Sequence, residues 1–128
     1  MRKLIKILLK DKIIFIAIFI ALVIGFLSLI KSTGPTINLS NVDKIYHTIA
    51  YFILSLTWLL SFPISRKNNT TKYAIALGCV FYGIIIEVLQ TTLTTYRTAS
   101  LLDVVANSVG VFIALLIFNS IYKKIDAI

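Results

Sequence analysis

Charged residues, cysteine and familiar catalytic motifs are all scarce in this chain of 128 residues. Only 14% of the positions are charged and 59% are hydrophobic, a balance that excludes an ordinary soluble domain. The single cysteine excludes an intrachain disulfide. The sequence contains no Walker loop, no HExxH zinc motif and no nucleophile motif, so no familiar signature assigns a reaction.

What the chain does contain is four long apolar segments. A bilayer core needs about 20 mostly apolar residues per helix, and these segments meet or approach that length. We predict an all-α polytopic membrane protein, a single domain over residues 1–128, with transmembrane helices at about 13–30, 43–62, 73–94 and 101–122. The basic start resembles a signal peptide, but the long apolar run that follows favours a retained helix.

The distribution of basic residues predicts the orientation. Of the 13 Lys and Arg residues, ten lie in the N-terminal segment, the second loop and the C-terminal tail, and three lie in or beside the other two loops. Because basic residues collect on the cytoplasmic side, both termini should be cytoplasmic. The net charge of +8 then reflects topology and attraction to anionic lipid, so we expect the lipid bilayer and not nucleic acid as a partner.

Polar side chains gather at one end of the second, third and fourth predicted helices, the outer end in this orientation. An acid in a membrane-spanning helix is costly unless it faces protein, water or a partner. The spacing of these residues, at three or four positions, places them on shared helix faces. We therefore predict a shallow, outward-facing polar cleft. Its candidate residues are Asp43, Lys44, His47, Tyr51, Glu87, Gln90, Arg97, Asp103 and Asn107.

The same residues carry a resemblance. The segments DKIYHTIAYFIL, EVLQ and RTASLLDVVANSVG follow in an order that resembles the VanZ-like family, from Asp43 to about Phe118. The resemblance implies a small polytopic protein of the bacterial cell membrane, and some family members are linked to resistance to the glycopeptide teicoplanin. It also implies that the family's motif residues are the nine candidates together with Gly110.

Two functions from different classes fit this cleft. In the first, the protein binds a lipid head group, a wall precursor or a glycopeptide, because Arg97 and the N-termini of two helices offer recognition of phosphate or carboxylate. In the second, it is a membrane enzyme acting on a phosphate-bearing lipid or wall-precursor head group, with Glu87, Asp103 and His47 as the candidate catalytic residues. The absence of a nucleophile motif favours binding.

Structural roles compete with both functions. His47 could simply be satisfied by Asp43 or Glu87, and Arg97 could form a structural ion pair with Glu87. Metal binding by His47, Glu87 and Asp103 is weakly supported, since one histidine is a poor zinc signal. No metal or other cofactor is therefore expected. A transporter of four spans would need a dimer, and the sequence does not predict the oligomeric state.

Overall fold

Four α-helices make up the fold. The computed structural model describes the backbone of residues 2–29, 40–62, 67–93 and 101–126, and the side chains within 12–29, 44–62, 67–93 and 101–124. In chain order the helices are α1 (Arg2–Leu29), α2 (Ser40–Ser61), α3 (Asn69–Leu93) and α4 (Leu101–Asp126). Every regular element in these ranges is helical, so the predicted all-α class is confirmed.

α1 begins well before the predicted position. We expected a helix from Ile13, where the apolar run starts, but α1 is continuous from Arg2 and contains 28 residues. At about 1.5 Å per residue it extends about 42 Å, more than a hydrocarbon core of about 30 Å. Its basic first turns therefore project beyond the apolar part, where a membrane-spanning helix can meet water and head groups.

α3 also begins earlier than predicted, at Asn69 instead of Tyr73. The side-chain oxygen of Asn68 accepts hydrogen bonds from the backbone N–H groups of Thr70 at 3.0 Å and Thr71 at 3.3 Å. This is the capping arrangement that satisfies N–H groups at a helix start. The polar Asn and Thr residues that suggested a loop are thus the cap and first turn of the helix.

Three of the helices are long and apolar enough to cross a membrane. The corresponding segments are Lys12–Leu29, Asn69–Leu93 and Leu101–Lys124. α2 is not among them, because charged and polar residues occupy its first turns. The three segments indicate a multi-pass membrane protein.

α2 and α4 form the most extensive helix contact in the described ranges, and they run parallel. The direction follows from two pairs: Lys44 meets Asp103, and His47, one turn further along α2, meets Asn107, one turn further along α4. The starts of α2 and α4 therefore lie at the same end of the bundle. This is the end at which the sequence predicted a polar cleft.

A glycine sets the close approach of these two helices. A Cβ at Gly110 would collide with the carbonyl oxygen of Thr48 and would lie 2.9 Å from the backbone nitrogen of Phe52. One turn along α4, Ala114 is fully buried, and Phe118 follows it in the same core. Gly110 and Ala114 thus form a small-xxx-small pair that packs against α2, as close membrane helices require.

α1 and α3 also run parallel, and hydrogen bonds join them. The hydroxyl group of Tyr82 donates to the backbone carbonyl of Ala21. Further along both helices, the amide nitrogen of Gln90 donates to the carbonyl of Ser28 at 2.8 Å. A Cβ at Gly25 would lie 3.0 Å from the Tyr82 hydroxyl, so the small residue permits the close approach of that side chain.

Candidate functional site

An ion pair links the starts of α2 and α4. The ammonium group of Lys44 contacts Oδ1 of Asp103. The lysine side chain is 28% exposed and the aspartate side chain 13%, so the pair lies at the edge of the protein interior and keeps some access to the surroundings. A carboxylate on a membrane helix needs such a partner, since its desolvation is costly.

His47 lies between this ion pair and an amide. Its Nδ1 is 3.1 Å from Oδ1 of Asn107, which makes a hydrogen bond in which Nδ1 carries the proton. Its Nε2 is 3.9 Å from Oδ2 of Asp103, a separation too long for a direct hydrogen bond but short enough for attraction when the ring is protonated. Both ring nitrogens therefore face polar groups of α4.

A glycine of α3, Gly83, provides the space that the side chain of Asn107 occupies. The side chain of Asn107 is almost completely buried, and a Cβ added to Gly83 would lie 2.9 Å from its amide nitrogen. The same Cβ would be 3.1 Å from Cε1 of Tyr51. Gly83 therefore leaves room for both side chains. No pattern in the sequence indicated that Asn107 and Tyr51 are neighbours of Gly83.

A threonine strengthens the contact between α2 and α4 at the same level. The hydroxyl group of Thr48 lies 2.9 Å from the carbonyl oxygen of Lys44 and 3.2 Å from that of Ala106, which belongs to α4. Sequence reasoning missed Thr48. The feature of the sequence that could have identified Thr48 is its position directly after His47, one residue from the predicted polar face.

Glu87 and Gln90 of α3 are buried, as candidate site residues should be, but they face different partners. Glu87 is 4% exposed and interacts electrostatically with Tyr51. Gln90 is 3% exposed, and its amide nitrogen bonds to α1 through the carbonyl of Ser28. Glu87 therefore lies beside the polar cluster, which consists of Lys44, His47, Asp103 and Asn107. Gln90 binds the first helix.

A cavity of about 290 Å³ opens beside His47 and Tyr51. Residues of α1, including Ile24, Leu27 and Ser28, form its other wall. The prediction that α2, α3 and α4 build the cleft is wrong on this point, because the first helix lines the space next to the histidine. Apolar residues make up most of this wall, and its polar residue, Ser28, was not among the predicted site residues.

The structure thus brings most of the predicted residues together. Direct contacts link Lys44 to Asp103 and His47 to Asn107 and Asp103. Tyr51 lies beside this group, because the Tyr51 ring and the Asn107 amide both border the Cβ position of Gly83. The side chain of Asp43 and the whole of Arg97 lie outside the described residues. Among the side chains that are described, no three histidine, cysteine or acidic residues are grouped as metal ligands.

The VanZ/LLP1 family model matches residues 12–122 of this chain. The chain belongs to the VanZ/LLP1 family. The resemblance read from the motifs between Asp43 and Phe118 is therefore confirmed, and the match extends over α1 as well. The polar cluster of α2 and α4, with Glu87 of α3 beside it, lies wholly within the matched segment.

One VanZ/LLP1 relative is an uncharacterized protein of the fission yeast Schizosaccharomyces pombe. It is 38% identical over 109 residues, which cover 85% of this chain and 64% of the yeast protein. The chain therefore spans less than two thirds of the relative's length. No solved structure matches the chain.

Proposed function

We propose that this VanZ/LLP1 protein is a binding protein of the bacterial cell membrane that holds the polar head group of an envelope component. The observation that supports the proposal is the cavity lined by His47 and Tyr51; His47 also lies 3.9 Å from Asp103, the ion-pair partner of Lys44. Polar groups arranged at a concave site in an otherwise apolar bundle are typical of ligand recognition.

The chemistry of the cluster favours a head group that carries phosphate or carboxylate. Lys44 supplies an ammonium donor that is partly exposed, and Tyr51 supplies a hydroxyl group on the cavity wall. The starts of α2 and α4 lie at the same end, so the positive ends of both helix dipoles favour an anion there. Arg97, which follows α3 in the sequence, is proposed as an additional anion contact.

We also propose that all four helices cross the membrane as a single domain, with both termini in the cytoplasm and the cavity facing outward. α2 runs beside α4 over its length, so a membrane that surrounds α4 would surround α2 as well. The basic residues of the N-terminal segment, the second loop and the tail support this orientation.

Among the possible ligands, a membrane lipid is favoured over a wall precursor or a glycopeptide. A fission yeast protein shares this segment, and a phospholipid head group is common to the membranes of many organisms. We propose that a bacterial family member can contribute to teicoplanin resistance when its binding of a lipid alters the outer surface of the membrane. Drug susceptibility would then change without a new envelope compound.

An enzyme acting on the same phosphate-bearing head group is the second candidate. The observation that favours it is the placement of His47 between the amide of Asn107 and the carboxylate of Asp103. A histidine oriented on one side and facing an acid on the other is suited to proton transfer. Glu87, buried nearby, would be the second acid.

The deciding experiment is mass spectrometry of the complete envelope, lipids and wall precursors together, with the purified protein analysed in parallel. Cells would express the native chain, Glu87→Gln or Asn107→Leu at matched levels. Ser108→Ala is the control, because the Ser108 hydroxyl bonds within its own helix to Val104 and does not reach the cavity.

Binding predicts that one class of phosphate- or carboxylate-bearing lipid copurifies with the native chain and the control, and is lost from Glu87→Gln and Asn107→Leu. A compound that appears or disappears in cells only with the native chain would instead establish the enzyme. If all four proteins copurify the same lipids in the same proportions, the head-group proposal is wrong.

A further inference from the structure

A second, larger cavity lies between α1, α2 and α3. Its volume is about 430 Å³. The lining side chains are almost all apolar. Leu54 and Trp58 of α2, together with Phe62 directly after its end, form one wall. The space at Gly78 on the α3 wall is open, since a Cβ there would meet no atom within 4 Å.

The two cavities follow one another along the same pair of helices. Tyr51 and Ile24 line the polar cavity, while Leu54 and Ala21, one turn further from the polar end, line the apolar cavity. The boundary between them is an aromatic pair: the rings of Tyr51 and Tyr82 lie with their centroids 6.5 Å apart. The two cavities are therefore neighbours along the helices, with this ring pair between them.

Together the two cavities extend along the helices over a distance greater than the thickness of one lipid leaflet. His47 marks the polar end and Phe62 the apolar end, and about 22 Å of helix separates them at about 1.5 Å per residue. Half of a hydrocarbon core is about 15 Å. At the far end, the rings of Trp58 and Phe62 stack with centroids 6.4 Å apart and give the cavity a flat aromatic wall.

We propose that the apolar cavity holds one acyl chain of the lipid whose head group occupies the polar cavity. This inference rests on the proposed function and names the ligand class as a long-chain phospholipid. Three observations support it: the cavities are adjacent along the same helices, the polar side chains of His47 and Ser28 line only the first of them, and the second is lined almost entirely by apolar side chains, as an acyl chain requires. Because an acyl chain in lipid or detergent is already surrounded by apolar groups, each added methylene would favour binding through van der Waals contacts with the cavity wall until the cavity is full.

The chain carries its own reporter for this cavity. Trp58 is the only tryptophan in the sequence, and it lies on the cavity wall. Bromine atoms on an acyl chain quench tryptophan fluorescence on contact. The purified full chain in detergent would be titrated with phosphatidylglycerols that differ in acyl length, from octanoyl to stearoyl, and that carry bromine either near the chain end or near the head group.

We expect quenching of Trp58 to be strongest with bromine near the chain end, and the affinity to rise severalfold with chain length until the cavity is filled. In Gly78→Leu the new side chain fills the cavity, so the dependence on chain length should disappear. Ile85→Phe adds volume on an exposed face of α3 that lines neither cavity, and it should behave as the native chain does.

Head-group recognition is measured separately, by comparing phosphatidylglycerol with the diacylglycerol that carries the same chains. Asn107→Leu should lose this discrimination and keep the dependence on chain length. Dependence on chain length without any head-group discrimination in the native chain would support the acyl site while refuting the proposed function. Dependence that persists in Gly78→Leu, or tight binding of isoprenoid phosphates with none of phosphatidylglycerol, would overturn the acyl site.

Discussion

The imidazole of His47 and the amide of Asn107 meet at 3.1 Å although 60 positions separate them in the sequence. The contact joins α2 to α4 directly and lies beside the ion pair of Lys44 and Asp103. The polar cluster of this VanZ/LLP1 protein is therefore a product of the helix pairing. The residues that fix that pairing should affect the cluster as strongly as the polar residues themselves.

Substitution of Gly110 by alanine should destabilise the pair of helices. The added Cβ would collide with the backbone of Thr48 and Phe52, and backbone cannot move aside as a flexible side chain does. We expect a loss of about 1–3 kcal/mol, measured by unfolding in mixed detergent. Gly78→Ala is the matched control, because its Cβ meets no atom within 4 Å and alanine favours the helix. Equal stability of the two variants would contradict the close contact.

The ion pair of Lys44 and Asp103 should show strong coupling in a double-mutant cycle. Lys44→Met and Asp103→Asn each leave the other residue without its ion-pair partner in a poorly solvated site, so each should lower stability. The double variant should lose less than the sum of the single losses, since no unpaired charge is left. Additive losses would show that the two side chains act independently.

Gln90 should determine how firmly α1 is held. Replacement by leucine removes the hydrogen bond to the carbonyl of Ser28, worth about 0.6 kcal/mol between membrane helices. Amide hydrogen exchange in the second half of α1 should then accelerate in Gln90→Leu. Thr92→Val is the control, since the hydroxyl of Thr92 bonds only within its own helix. If exchange rises equally in both variants, α1 does not depend on Gln90.

Reporter fusions test the orientation. A fusion at Lys67 should report the cytoplasm, because this residue belongs to a basic loop, and a fusion at Thr95 should report the outside. The reverse pattern would place the polar cavity on the cytoplasmic face. Both fusions reporting the same side would mean that α3 does not cross the membrane.

The sequence predicted the elements of this fold better than their ends. Periodic and continuous apolar runs identified four helices, and α4 begins at Leu101 as predicted. The start of α3 was wrong, because the polar residues of its first turn have the composition of a loop. α1 begins before its apolar run, but its apolar segment, Lys12–Leu29, agrees with the predicted span. At Asn68 the cap was visible as a residue type, but its two hydrogen bonds became apparent only in the structure.

The candidate site was predictable where helical spacing alone determines neighbours. Asp103 and Asn107 lie four residues apart, so their common face followed from the period of the helix. The partners across the helices did not: no spacing rule indicated that Gly83 would border both Tyr51 and Asn107. The role of α1 in the cavity was hidden for a related reason, since it contributes apolar walls and backbone carbonyls, which carry no distinctive residue type.

The parallel pairing of α2 with α4 also sets the order in which the molecule can be completed during synthesis. The chain emerges from its N-terminus, so in the proposed four-span topology Lys44 and His47 enter the membrane before their α4 partners, 59 and 60 positions later, have been made. A nascent chain that stops after α3 therefore holds polar groups in lipid without Asp103 and Asn107. Insertion of α4 removes that defect in one step, so the polar cluster marks a chain whose assembly is finished.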